Sequence, residues 1–209
     1  DGIRDIGVTG VQTCALPIYH FADHGISTGP VTMDVAKMVA RKDAVVKQNS
    51  DGILYLFKKN KVTFFHGRGS FAGSADGAYQ INVSGAQGAD LSAKQVVVAT
   101  GSCARQLAAA PLDEVNILSN DGALRMGATP QKLGVIGSGV IGLEMGSVWR
   151  RLGAEVTVLE AMPTFLAAVD ETVAKEAQKI FSKQGLRIEL GVRIGDIDNG
   201  KTGVKVAYT

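Results

Sequence analysis

Cysteine is nearly missing from this sequence, whose 209 residues hold only Cys14 and Cys103. Cys14 lies in an N-terminal stretch that fits no fold pattern, and Cys103 alone builds neither a disulfide framework nor metal-ligand spacing. No metal site is expected. The scarcity fits a reducing setting, the cytoplasm, or the mitochondrial matrix if the source is eukaryotic. Cys103 reads as a small core or turn residue rather than a nucleophile, because no histidine lies near it in sequence. An excess of one charge is also missing. Lys and Arg number 22 against 20 Asp and Glu, a net charge of +2, which gives no reason to expect a nucleic-acid or anionic-membrane partner. The cluster Lys58, Lys59, Lys61 reads as a solvated turn. No apolar run approaches the roughly 20 residues needed to cross a bilayer, which predicts a soluble chain. What remains is ordinary globular composition, 45% hydrophobic and 20% charged, enough for one large or two small domains.

Residues 1–18, DGIRDIGVTGVQTCALPI, show neither the alternation of a strand nor the periodicity of a helix. They also lack the basic, apolar and small-residue order of a signal peptide. DGIRD, two arbitrary residues and VTGVQTCALPI resemble the conceptual translation of a sequencing-library adapter carrying a two-codon index. Residues 1–18 are therefore expected to be foreign to the fold, with natural sequence from about Tyr19 onward.

The most informative stretch is LGVIGSGVIGLEMGSVWRRLGAEVTVLE, Leu133 to Glu160. It reads as an apolar strand (Leu133 to Ile136), a glycine turn, a helix to about Leu152, and a second apolar strand (Val156 to Leu159) closed by an acid. Gly137, Gly139 and Gly142 occupy the G-x-G-x-x-G positions, and each has its own physical task. Gly137 permits the tight turn, Gly139 lets a pyrophosphate approach the backbone, and Gly142 lets the helix lie close to the strand. The residues between and after them, Ser138, Val140, Ile141 and Leu143, complete the turn and the helix start, whose unpaired N–H groups receive negative charge. Glu160, about twenty residues further on, is placed to accept hydrogen bonds from both adenosine ribose hydroxyls and to repel a 2′-phosphate. No Arg or Lys follows in AMPTFL, so NAD is expected over NADP. A glycine triplet alone is equally a flexible turn, but here strand, helix and terminal acid agree.

Elsewhere the pattern is coarser. Apolar positions at Val35, Met38, Val45, Val46, Ile53, Leu56 and Phe57 follow helical spacing after a candidate N-cap at Thr32, with Gly52 predicting two helices or one with a weak point. Val62 to Phe65 reads as a strand. The alternation Tyr79, Ile81, Val83, after a turn at SADG, reads as a strand exposed on one side, with Leu91 to Gln95 pairing back. VVVAT, Val96 to Thr100, reads as a parallel strand buried on both faces. Further on, Asp170 caps a helix with an expected apolar stripe of Val173, Ala177, Ile180 and Phe181, and Gly185 stops it. Leu186 to Leu190, Val192 to Ile197 and Val204 to Tyr208 read as strands.

The order of a helical insert (VTMDVAKMVARKDAVVKQNSDGILYLFKKNKV), FFHGRGSF, QVVVATGS, LSNDGAL and the Leu133 to Glu160 block resembles the flavin-linked pyridine nucleotide-disulfide oxidoreductases. Within them it is most similar to the dihydrolipoyl dehydrogenase branch, which serves as the third component of 2-oxo acid dehydrogenase complexes. The resemblance implies an α/β, doubly wound, Rossmann-like FAD/NAD(P)-binding fold in two incomplete lobes. One is an FAD-domain remainder over residues 19–128 with an antiparallel β insertion; the other is a partial NAD domain over 129–209. It further implies that Thr100, Gly101 and Ser102 contact FAD, with Gly67 near its adenine unless that glycine merely serves a turn or bulge. Ile194 would border the adenine of NAD.

Val140 and Glu144, four apart, share one helix face. By resemblance that face meets the flavin–nicotinamide contact, with Glu144 paired to a lysine beside the flavin. The bland alternative is a solvated carboxylate near the positive helix end, worth about 0.3–1 kcal/mol. In the family, dihydrolipoamide on a lipoyl carrier domain reduces a cysteine pair, and electrons pass through FAD to NAD+ in a homodimer. The C-x-x-x-x-C pair and the catalytic His–Glu pair match nothing here; His20, His24 and His66 read as surface or turn residues. The 209-residue chain alone is therefore expected to lack lipoamide reductase activity. Two other readings stay open: another flavoprotein disulfide reductase or soluble transhydrogenase, and a non-redox NAD-binding module.

Overall fold

The computed structural model describes residues 25, 27, 32–200 and 203–209. The chain falls into two units, Asp1–Asp34 and Val35–Thr209, and the second carries the architecture below. The stretch 1–18, His20 and His24 lie outside the described residues.

Helix α1 spans Val35–Lys59 without a break, so Gly52 neither splits nor ends it, and Thr32 lies outside its first turn. An ion pair of 2.6 Å between Lys47 and Asp51, one turn apart, sits on its solvent side. Its start packs into the core: Val35 is buried, with Met38 and Val39 against the same cluster. Val45, Val46, Ile53 and Leu56, expected on the packed stripe, are exposed.

A three-stranded antiparallel sheet follows, β1 (Arg68–Ala75), β2 (Ala78–Ser84) and β3 (Ala89–Ala93), in sequential order. Asp76 and Gly77 close the first hairpin with φ of +50° and +73° between the paired Ala75 and Ala78. Two left-handed residues in a two-residue loop match the right-handed twist of the strands they join. Val62 to Phe65 forms no strand, and its Phe64 instead stacks between Phe57 and His66 at 5.7 and 6.2 Å. Val96 to Thr100 is also irregular, with Val97 89% exposed. A parallel strand buried on both faces needs a strand to pair with and layers covering each face, and among the described residues no strand pairs with Val96 to Thr100.

From residue 113 the chain is pinned by side chains. Asp113 Oδ1 accepts the N–H groups of Val115, Asn116 and Ile117, and its Oδ2 accepts the Asn199 amide at 2.7 Å. Helix α2 is a single turn, Asn120–Ala123, capped by Ser119.

The parallel sheet then forms as expected. Strand β4 (Lys132–Ile136), helix α3 (Val140–Arg151), strand β5 (Glu155–Glu160), helix α4 (Glu171–Lys183) and strand β6 (Arg187–Leu190) make consecutive βαβ units with strand order β4-β5-β6. A helix in each crossover is what parallel pairing requires. Helix α3 buries Leu143, Gly146, Ser147 and Trp149, spaced for one face. Asp170 caps α4, accepting the N–H groups of Thr172 and Val173, and Gly185 follows it at φ +90°. The inward stripe of α4 is Ala174, Ala177 and Phe181, whereas Val173 and Ile180 are exposed, so the helix is rotated about one residue from the expected stripe. Ala174 is buried in one cluster with Leu143, Phe165 and Leu166.

The core centres on this unit. Trp149, Ala154, Val156, Val158 and Leu186 form one buried cluster, and Leu143, Phe165, Leu166 and Ala174 a second, with Phe181 and Ile188 touching both. A hairpin of β7 (Ile194–Gly200) and β8 (Gly203–Tyr208) completes the described chain.

Candidate functional site

The carboxyl ends of β4, β5 and β6 converge on one place. The turn after β4 is tied to the neighbouring strand by the Gly137 N–H, which donates to the Leu159 carbonyl at 2.8 Å. Gly137 has φ +99°, a left-handed backbone that glycine alone adopts without cost. A Cβ at Gly142 would sit 2.5 Å from the Gly137 carbonyl oxygen and 3.0 Å from Val135 Cγ1, so helix and strand are as close as their backbones allow. At Gly139, the N-cap of α3, a Cβ would meet nothing within 4 Å. The three glycines therefore meet three different demands: strained turn, close packing, and open space beside the helix start.

That helix start is uncapped by any side chain and has no acid in its first turn. The first N–H groups of an α-helix have no partner within the helix, so α3 presents donors and the positive end of its dipole to the open space. Val140 and Ile141 are more than half exposed there. Glu144, one turn beyond Val140, is exposed, and no ion pair to it occurs among the described residues. Leu143, in contrast, is buried and serves the core.

Glu160 closes β5 opposite the turn. Its Oε2 accepts the Ser138 N–H at 2.7 Å and the Ser138 hydroxyl at 2.9 Å, while Oε1 accepts the Met162 N–H at 2.8 Å. Burial is the largest single influence on this carboxyl and pushes it up. The N–H groups of Met162 and Ser138, the Ser138 hydroxyl and the Ala161 N–H together outweigh it and hold the group below the ordinary glutamate value. The carboxylate is thus charged at neutral pH.

A cleft of about 540 Å³ is lined by Ile136, Ala161 and Gly191, each at or just past a parallel strand's carboxyl end, while Glu160 and the glycine turn are not part of its lining. Ile194, Arg193 and the loop Leu107 to Ala110 form its other walls. The outer edge of the carboxyl ends is where open α/β sheets receive ligands. Ile194, the residue that the resemblance sets at the adenine of NAD, is among the residues lining the cleft. The Leu107 to Ala110 wall carries no motif, and its part was not readable from sequence.

The second group of candidate residues lies apart from this cleft's lining. Thr100, Gly101 and Ser102 are exposed, with Gly101 at φ +76° and nothing within 4 Å of its Cβ position. A Cβ at Gly67 would collide with the Ser84 carbonyl oxygen and lie 2.7 Å from Val83 Cγ1. Close approach of β2 is therefore sufficient reason for glycine at 67. Cys103 is a free thiol on an exposed loop, not a core residue. Among the described residues no group of His, Cys, Asp or Glu is arranged to hold a metal ion, and no helix is long and apolar enough to cross a membrane.

The chain is 54% identical over 191 residues to dihydrolipoyl dehydrogenase of Cupriavidus necator, covering 91% of this chain and 40% of that protein. It is 39% identical over 190 residues to the mitochondrial dihydrolipoyl dehydrogenase of Pisum sativum, covering 90% of this chain and 37% of that protein. The chain thus spans about two fifths of the length of these curated relatives. Among solved structures, LpdA from Mycobacterium tuberculosis superposes with a TM-score of 0.79 at 26% identity, over 98% of this chain and 44% of that one. The fold is accordingly α/β, of the doubly wound, Rossmann-like kind. The sequence profile of the pyridine nucleotide-disulphide oxidoreductases matches residues 12–209, and the chain belongs to that family.

Proposed function

We propose that this chain supplies the NAD-binding unit and part of the FAD-binding domain of a dihydrolipoyl dehydrogenase, a flavoprotein that oxidises dihydrolipoamide and passes the electrons to NAD+. The observation that carries the reading is the Glu160 carboxylate, held charged at the end of β5 beside an uncapped helix start. Similarity to the Cupriavidus necator and Pisum sativum enzymes supports the same activity.

The residues fit the nucleotide. The open space at Gly139 admits a pyrophosphate to the first N–H groups of α3. Glu160 accepts the ribose hydroxyls and disfavours a 2′-phosphate. Ile194 borders the adenine in the cleft, whose lining also includes Arg193. Val140 and Glu144, exposed on one face of α3, flank the nicotinamide end. Exposed Thr100, Gly101 and Ser102, with unfilled space at Gly101, suit close approach by FAD; Gly67, whose Cβ position is filled by β2, is assigned to the FAD adenine by the resemblance alone. When bound, the flavin supplies a hydride and the nicotinamide accepts it.

Residues 19–128 form the FAD-domain remainder and 129–209 the partial NAD domain in this reading. Its partners are dihydrolipoamide on a lipoyl carrier domain and a second copy of the enzyme. Its compartment is the cytoplasm, or the mitochondrial matrix in a eukaryote. No C-x-x-x-x-C occurs in the sequence, so the 209-residue chain by itself turns over no dihydrolipoamide. Titration calorimetry with NAD+ and NADP+ tests the core of the proposal: NAD+ binds the more tightly, and equal or reversed affinities refute it.

A further inference from the structure

Ser138 sits in the middle of the glycine turn, yet it is only 1% exposed. Its polar atoms are all turned inward. The backbone N–H and the hydroxyl both reach Glu160 Oε2, and the same hydroxyl oxygen accepts the Leu166 N–H at 3.4 Å. A serine hydroxyl has one proton and two acceptor lone pairs. With an N–H directed at the oxygen, the proton is left for the carboxylate, and the donor–acceptor chain Leu166 to Ser138 to Glu160 runs in one direction. Leu166 is itself buried and held at φ +50°, a backbone state that a leucine keeps only when its surroundings enforce it. The acceptor side of the hydroxyl is therefore fixed by the packed segment behind the site.

The effect falls on the orientation of the carboxylate. Backbone N–H groups of Met162, Ser138 and Ala161 hold the carboxylate from the strand end and the turn. The Ser138 hydroxyl adds a side-chain donor on Oε2, beside the Ser138 N–H, and so narrows the orientations open to that oxygen. We propose that Ser138 is a positioning residue whose hydroxyl fixes the Glu160 carboxylate in the orientation that receives an adenosine ribose diol, and so sets the preference for NAD over NADP. This rests on the nucleotide reading above and adds to it a residue that acts on the ligand only through Glu160.

The test is titration calorimetry of the chain with NAD+ and with NADP+, using the unsubstituted protein, Ser138→Ala, Ser138→Cys, Glu160→Gln and the double variant Ser138→Ala/Glu160→Gln. Ser138→Ala leaves the bond between Glu160 and the ribose in place but less well aimed, and is expected to weaken NAD+ binding about five- to tenfold. NADP+ affinity changes less, so the ratio between the two narrows. Ser138→Cys keeps the volume while exchanging a strong donor for a weak one; it shows the same loss and decides the matter if the alanine variant does not fold. In the Glu160→Gln background Ser138→Ala has little further effect, since a residue acting through another shows no independent contribution. NAD+ affinity unchanged in both serine variants, or a loss that adds in full to that of Glu160→Gln, overturns the inference alone. Failure of the unsubstituted chain to bind either nucleotide, with its helical circular dichroism intact, overturns the nucleotide reading and this inference with it.

Discussion

Replacing either Gly142 or Gly139 by alanine adds one methyl group to the same turn, yet the two changes should damage different properties. At Gly142 the methyl meets the Gly137 carbonyl oxygen at 2.5 Å and Val135 Cγ1 at 3.0 Å. The carbonyl cannot yield cheaply, because the Gly137 N–H is bound to Leu159 across the sheet. Overpacking of this kind costs about 1–3 kcal/mol, here at the upper end because the neighbour is backbone. Alanine returns up to about 1 kcal/mol through helix propensity, leaving a net loss of about 2 kcal/mol. At Gly139 the methyl meets nothing, and φ −72° with ψ 169° is open to any residue. A less flexible unfolded chain there gains about 0.4–1 kcal/mol, and the poorer N-cap loses a similar amount, so stability should hardly change. The methyl would, however, occupy the space through which a pyrophosphate reaches the helix, costing at least about tenfold in NAD+ affinity.

The assay is urea denaturation followed by fluorescence of Trp149, the sequence's one tryptophan, which lies on α3 and is 3% exposed in the core. With typical urea slopes, Gly142→Ala should lower the midpoint by about 1 M and Gly139→Ala by less than about 0.3 M. Calorimetry with NAD+ supplies the second axis. An undiminished midpoint for Gly142→Ala, or a Gly139→Ala protein that binds NAD+ as tightly as the parent, would refute the division of labour.

Asp170→Ala removes the acceptor for the Thr172 and Val173 N–H groups and should cost about 1 kcal/mol in the same denaturation assay. The Glu160 carboxyl has its pKa lowered on folding, so its stabilising contribution is present above the unfolded value of 4.5 and is lost as pH falls through the folded value. The stability gap between the parent and Glu160→Gln should accordingly shrink in urea titrations carried from neutral pH to below 4.5. Asp113 is held far below the usual carboxylate range by the Val115 and Ile117 N–H groups and the Asn199 amide. Asp113→Ala should therefore speed hydrogen exchange at the Val115 and Ile117 amides; unchanged exchange would show that the loop holds its shape without the carboxylate.

What could be read in advance was what the chain writes locally. The strand, turn, helix and strand from Lys132 to Glu160 are contiguous, and each glycine's task follows from backbone sterics within a few residues. The Asp170 cap and the Asp76–Gly77 hairpin were legible for the same reason. Val96 to Thr100 was not, because a run of apolar residues states a preference for burial but not which neighbours will provide it. The α4 stripe was misplaced because hydrophobicity alone favours Val173, which is exposed, over Ala174, which is the residue buried against Leu143, Phe165 and Leu166. Asp113 and Asn199 are 86 residues apart and Ser138 and Glu160 are 22 apart, so no periodicity could have paired them.

The parallel register of β5 makes that strand a ruler. Leu133 lies opposite Val156, Ile136 opposite Leu159, and Glu160 opposite Leu190 on the other edge. Removing any one residue between Glu155 and Leu159 would slide Glu160 into the place of Leu159, 4% exposed in the core, and bring the Ala161 methyl opposite Ser138. A charge would be buried and the ribose acceptor lost in one step. Side-chain substitutions along this strand can be graded in their effects, whereas a change in its length is all or nothing.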